Sequence, residues 1–291
     1  MKQFLLAFTA LIATTSFAQE EDLFDLLDEG DTQQITYATF KGTQLINAAT
    51  NETPGEGVLQ YVIAHRFGSF NDDYLYNFLG LDNAQIRMQL DYGITDRLNV
   101  GIGRSSFLKV ADGFVKYKLL QQQSGTVNIP ASITLHSTQN YRNARYTDGI
   151  DHDLTDRFSY MHQAIIARKW NRSLSTVVSP SVVHFNLVPS ANDPNTTAHL
   201  TLGARYKVTN RIALTGESTL LSNPGLSSGE RFTTPIALGV DIETGGHVFQ
   251  LHISNTRAMN APYWMARNPY AFSNGGLFLG FNISRVFNVT E

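Results

Sequence analysis

From about Gly57 to the C-terminus, apolar and polar residues alternate one by one in a series of segments, and the turns between the segments alternate between short and long. Period-two alternation describes strands with one apolar face. In residues 85–94, Ile86, Met88, Leu90, Tyr92 and Ile94 oppose Gln85, Arg87, Gln89, Asp91 and Gly93. In residues 199–208, Leu200, Leu202, Ala204, Tyr206 and Val208 oppose His199, Thr201, Gly203, Arg205 and Lys207. About twelve such segments can be read. Alternation alone does not say whether the apolar face looks into a core or out at lipid. Three features favour lipid. The segments reach roughly ten residues, a membrane-crossing length, whereas soluble strands average about five or six. The polar faces mix charges with glycines, as a narrow polar lumen requires. Finally, the connections sort by parity.

The short turns fall at 95–97, 122–125, 171–173, 210–211 and 244–246, each joining an even segment to the next odd one. Their Gly, Asn and Asp residues suit tight hairpins that need positive φ. The other connections, 68–83, 139–156, 189–195, 221–231 and 256–276, are longer, with 108–113 as the exception. An even strand number with both chain ends on the short-turn side is the pattern of bacterial outer-membrane barrels, and a soluble sandwich has no reason to sort its loops this way. The sequence therefore predicts an all-β chain: a transmembrane, up-and-down, antiparallel β-barrel of about twelve strands, with about ten to fourteen allowed. Pro130, Pro180 and Pro235 fall inside proposed strands and are expected at bulges or strand ends. The sixth and seventh segments, 157–170 and 174–187, are apolar on both faces and receive no orientation.

Lys2, the apolar run 4–12 and Ser16-Phe17-Ala18 read as a secretory signal cleaved near Ala18. The predicted organisation is a signal peptide over 1–18, a periplasmic N-terminal segment over 19–56 and the barrel over 57–291, in the bacterial outer membrane. Cysteine is absent, so a lipoprotein anchor, a disulfide and a thiolate site are excluded. No later apolar stretch is long enough for a spanning helix, so a membrane location requires a closed barrel. Apolar residues make up 42% of the chain, yet mean hydropathy is only -0.16, as strands with one polar face should average. A net charge of -3 gives no reason to propose nucleic acid as a partner. Expected partners are outer-membrane lipid and the barrel-assembly machinery.

Residues 20–30 are acidic, with Leu23, Phe24, Leu26 and Leu27 at helical spacing. The simplest reading is a short periplasmic helix or frayed terminus; a sharper one is a plug or a handle for a periplasmic partner. Residues 35–46 have strand-like character and could line the wall, enter the lumen or add a strand.

Four stretches together resemble one family: Phe40-Lys41-Gly42-Thr43-Gln44-Leu45-Ile46-Asn47, His65-Arg66-Phe67-Gly68, Ser254-Asn255-Thr256-Arg257-Ala258-Met259 and Asn282-Ile283-Ser284-Arg285-Val286-Phe287. They resemble Bacteroidota outer-membrane β-barrel proteins of an uncharacterised domain family. The resemblance implies the barrel and a Bacteroidota source; it brings no catalytic residue, ligand or cofactor. The chain departs from common barrel habit at its end, where Phe287 is followed by four further residues rather than closing the chain.

The charges on predicted lumen faces are Arg87, Asp91, Lys116, Lys118, Arg205, Lys207, Glu217, Asp241 and Glu243. Buried charges are usually paired, so pairing across the lumen is favoured over a selectivity role. Asp148, Asp151 and Asp153 crowd one outer loop with Asp156 and His152. Carboxylates suit calcium, but the spacing departs from an EF-hand loop, and a solvated acidic loop is the better reading. The last long loop carries Tyr263, Trp264, Tyr270 and Phe272. Packing at the rim is expected first, and constriction of the mouth second. No catalytic motif is present: Gly101-Ile102-Gly103 is too short for a dinucleotide fingerprint, and His252 and Ser254 share a lumen face. No cofactor is implied. The expectation is a non-enzymatic barrel, a narrow small-solute pore or a structural component. The alternatives are a membrane-embedded, phospholipase-like hydrolase and a protein that binds partners through its long loops.

Overall fold

A computed structural model describes residues 33–70, 73, 75–223, 225–227, 229–244 and 247–289. The predicted signal peptide and acidic helix lie outside these residues.

Twelve antiparallel strands form one closed barrel. They are β1 (Val58–Ser69), β2 (Gln85–Gly93), β3 (Leu98–Ser105), β4 (Val110–Leu120), β5 (Ser132–Arg142) and β6 (Phe158–Lys169), then β7 (Leu174–Phe185), β8 (Thr196–Lys207), β9 (Ile212–Leu221), β10 (Ile236–Thr244), β11 (His247–Ser254) and β12 (Phe278–Asn288). Each pairs with its sequence neighbour, and β12 pairs back onto β1 with one register shift between Phe278 and Gly280. Closure leaves no unpaired edge, which a sheet in hydrocarbon requires. No described helix is long and apolar enough to cross a membrane, so any crossing is made by strands.

The burial pattern is inverted relative to a soluble protein. Ile86, Met88, Ile102, Leu202, Leu214, Leu238 and Leu251 are exposed on the outer wall, whereas Arg87, Asp91, Lys116, Arg205, Glu217 and Asp241 are buried inside. Exposed aliphatic side chains all round a closed barrel are what a lipid-facing surface looks like.

β6 and β7 orient like the rest. Met161, Ile165, Ala167, Val177 and Val183 are fully buried and point inward. Their inner face is apolar because it meets protein rather than water: Ile165, Ala167 and Val177 pack with Phe40 and Leu45, and Met161 and Val183 pack with Tyr263, Trp264 and Met265.

Gly125 has the expected positive φ, at 108°, but three of the short turns differ from expectation in mechanism. Positive φ is absent from 95–97, 171–173 and 209–211. Instead one side-chain oxygen caps two backbone N–H groups in each turn. Thr95 Oγ1 accepts from Arg97 and Leu98, Asn171 Oδ1 from Ser173 and Leu174, and Thr209 Oγ1 from Arg211 and Ile212.

The β4–β5 connection is longer than read, because β5 begins at Ser132 and leaves Pro130 outside the strand. Its Gln123–Ser124 pairs with Gln34–Ile35 from the N-terminal segment. Pro235 precedes β10. Pro180 alone sits mid-strand, and the β6–β7 ladder omits the Ala164–Pro180 and Ile165–Ser179 pairs while keeping register on both sides. A proline has no N–H to give to that ladder.

Candidate functional site in the lumen

The chain from Ala38 to Glu52 runs inside the barrel. Of the three places open to residues 35–46, wall, lumen or added strand, most of the segment takes the lumen. The segment turns back on itself: Leu45 N–H donates to Ala48 O at 2.8 Å and Thr50 N–H to Thr43 O at 3.0 Å. The tip is Ile46-Asn47. A non-regular segment buried here must satisfy its backbone through side chains of the wall, and the wall supplies them.

Glu217 is the main fastening. Its carboxylate accepts three consecutive backbone N–H groups, from Ile46 at 3.1 Å, Asn47 at 2.8 Å and Ala48 at 2.9 Å. On the carbonyl side, Asn282 Nδ2 donates to Ile46 O at 2.9 Å and Gln250 Nε2 donates to Leu45 O. Lys116 Nζ donates to Thr43 O at 3.0 Å. Thr43 Oγ1 donates to Gln60, and Arg66 Nη2 donates to Asn47 Oδ1. Asn47 thus lies between an acidic and a basic wall residue, with its backbone on Glu217 and its side chain on Arg66. The apolar half of the plug, Phe40 and Leu45, sits on Ile165, Ala167 and Val177. Gly203 makes room: a Cβ there would stand 2.4 Å from Leu45 Cδ1.

At the long-loop end the β11–β12 loop folds inward. Its one helical turn, α1 (Ala261–Ala266), buries Tyr263, Trp264 and Met265. Tyr263 contacts Phe107 and Phe185 edge-on, and Arg267 covers Phe185 with its guanidinium 4.1 Å from the ring centroid. Asn260 Nδ2 donates to the wall residue Asp112 at 2.9 Å. Met259 to Ala266 therefore constrict the mouth, the reading placed second above. Tyr270 is a rim residue, edge-on to Phe278, and Phe272 is exposed. Between the plug and this constriction lies a cavity of about 40 Å³, lined by Gln44, Arg87, Lys116, His136, Gln163 and Trp264. At roughly 10–15 Å³ each it has room for about three waters.

Two further groups of interior charges pair along the wall. Arg87 binds Asp112 through both terminal nitrogens and also reaches Gln89, which in turn donates to Asp91 at 2.8 Å. Arg205 binds Asp241 at 3.0 Å and Glu243. Lys118 and Lys207 are half-buried toward the short-turn end. Sequence reasoning missed Asp112, because residues 108–113 were read as a connection whereas β4 begins at Val110. Alternation was masked there: Phe114, two residues on, also points inward, into space left by Gly101. Arg66 stood in the His65-Arg66-Phe67-Gly68 stretch but outside the chosen charges. The plug itself carried one signal, strand-like residues ahead of a closed strand set.

In the acidic outer loop, Asp148 meets His152 Nε2 at 2.8 Å and Asp156 meets its Nδ1 at 3.5 Å. The hydrogen bond from His152, then the Ile150 N–H, hold the Asp148 carboxyl below the usual carboxylate range. Among the described residues no three His, Asp or Glu side chains converge as a metal site, and Asp151 and Asp153 take no part in such a group. Ser254 Oγ faces Thr256 Oγ1 at 2.8 Å rather than His252. A hydrogen-bonded Ser–His pair does occur, Ser137 with His162, on the outer wall and with no carboxylate in contact.

Solved structures with a similar fold include the NanC porin, 7% identical with a TM-score of 0.49, covering 78% of this chain and 98% of that one. An outer-membrane channel from Pseudomonas putida F1 is 13% identical with a TM-score of 0.48, covering 81% and 97%. No curated protein matches the sequence. The profile of one family, described as a membrane bound beta barrel domain and designated DUF5777, matches residues 40–287, the plug included. This protein belongs to that family.

Proposed function

We propose that the protein is a gated channel for small polar solutes in the outer membrane, closed at rest by residues 38–52 and opened when that segment withdraws toward the short-turn, periplasmic end. The observation that carries this reading is how the plug is held. Wall side chains grip its backbone through hydrogen bonds that water can replace as the segment leaves. A core sealed by apolar contact alone would offer no such route. Apart from the apolar patch of Ile165, Ala167 and Val177, the wall left behind is polar and holds its own ion pairs, Arg87 with Asp112 and Arg205 with Asp241 and Glu243, so most of it would hydrate. Lys116, Asp91, Lys118 and Lys207 would join Glu217 along the path. Residues preceding Gln33, with their acidic stretch, are the natural handle for a periplasmic partner.

Planar-bilayer recording tests this. Deleting 38–52 should turn a silent or rarely open barrel into one with sustained conductance. A deletion variant that folds and stays silent would sink the proposal.

One observation favours a second role, contact with a partner through the outer loops. In the β1–β2 loop, Leu75 and Tyr76 are 83% and 87% exposed, and exposed apolar clusters mark interaction sites. Replacing Leu75, Tyr76 and Phe78 by Ser should abolish co-purification of any outer-membrane partner; unchanged co-purification would remove this role.

A further inference from the structure

The outer wall is not uniformly convex. An open groove of about 990 Å³ crosses β5 to β8 on the lipid-facing side, at the upper end of the roughly 300–1,000 Å³ usual for ligand pockets. Register explains it. Leu135, Ala164, Pro180 and Leu200 stand side by side on adjacent strands, and so do Ser137, His162, Val182 and Ala198. Ala164, Pro180 and Ala198 replace bulky side chains at its centre, where the β6–β7 ladder is interrupted.

One polar feature stands in this groove. Ser137 Oγ and His162 Nδ1 are 2.8 Å apart, and neither side chain makes a further polar contact among the described residues. A hydroxyl and a neutral imidazole hold two protons between them. Their mutual bond uses one, whichever of them donates. One donor and two acceptor sites are left facing an apolar space, where an unmet polar group is unfavourable. An ester carbonyl could answer only the donor. A carboxyl group can both accept and donate.

We propose that this groove binds one long-chain fatty acid, its chain along Ala164, Pro180 and Ala198 and its carboxyl at Ser137 and His162. The site is independent of the plug and of whether the barrel conducts. The test uses the full-length protein in phosphatidylcholine nanodiscs with a diazirine-bearing palmitic acid, and adducts mapped by peptide mass spectrometry. The far wall supplies a matched control, since Ile86 and Met88 are 40% and 43% exposed and Val182 and Leu202 are 44% and 40% exposed. Adducts should be at least tenfold richer on residues 178–182 and 198–202 than on 86–90. Ala198→Trp, which fills the groove, should remove that excess, and Ser137→Ala with His162→Leu should cut it several-fold. Leu202→Trp serves if Ala198→Trp fails to fold by heat-modifiable migration. Equal labelling of the two walls overturns the proposal. So does an equal excess with a diazirine on the acyl chain of phosphatidylcholine, because the free carboxyl would then not be what the site reads.

Discussion

Removing the Glu217 carboxylate should unfasten the plug. In Glu217→Ala the N–H groups of Ile46, Asn47 and Ala48 lose their only wall acceptor together. Hydrogen bonds to a charged group contribute about 1.5–3 kcal/mol each, so three set a ceiling of roughly 5–9 kcal/mol. Against this, the buried carboxylate carries a desolvation penalty of several kcal/mol that the mutation lifts. The difference is about 3–5 kcal/mol, the range seen when one side of a buried charged contact is removed. At about 1.4 kcal/mol per decade, the withdrawn state should gain about 100- to 3,000-fold in population. Glu217→Gln keeps the shape but offers one neutral acceptor oxygen, so it should fall between, at about tenfold. The assay is opening frequency in planar bilayers, with heat-modifiable migration showing that each variant retains the barrel. An opening frequency in Glu217→Ala within twofold of the parent, or Glu217→Gln opening more than Glu217→Ala, would refute the reasoning.

Gly203→Ala should loosen the plug from its apolar side, since the new Cβ would stand 2.4 Å from Leu45 Cδ1 and 2.9 Å from Val177 Cγ1; overpacking of about 1–3 kcal/mol corresponds to about 5- to 100-fold more opening. Adding Leu45→Ala should remove the clash, so a double-mutant cycle must be non-additive, and additive effects would show that the two residues do not meet. Trp264→Ala removes a side chain only 3% exposed; it should lower barrel stability by about 3–5 kcal/mol yet leave the bilayer nearly silent while the plug remains. Combined with Glu217→Ala it should raise single-channel conductance, and a large conductance from Trp264→Ala alone would contradict the plug as the element that closes the barrel. Asp148 should titrate below the usual carboxylate midpoint of about 3.9. Because its folded value is depressed, the stabilisation of its loop is present above that midpoint and is lost as pH falls through the lower one. Carbon-13 NMR of the Asp148 carboxyl should show its midpoint rising in His152→Ala, and an unmoved midpoint would discount the hydrogen bond.

The wall was legible from the sequence because each strand residue has two neighbours of opposite orientation, and lipid demands apolar side chains at every second position. That alternation, with the segment lengths, the charged and glycine-rich polar faces and the turn parity, placed Ile86, Met88 and Leu90 outside and Arg87, Gln89 and Asp91 inside without any tertiary information. Local chemistry was less faithful: Thr95, Asn171 and Thr209 cap their turns with side-chain oxygens, where positive φ was anticipated. What fills the lumen was settled only by the fold. Residues 35–46 read only as strand-like, because much of the plug's backbone bonds to side chains on β4, β5, β9, β11 and β12, far away in sequence. Glu217 and Asn47 are 170 residues apart, and nothing local to either announces the other. The same distance hid the meaning of β6 and β7. Their inner faces are apolar because Leu45 and Trp264 occupy the space that a water-filled lumen would otherwise hold. Alternation reads a boundary between two solvents, and it falls silent where the second solvent is the protein itself.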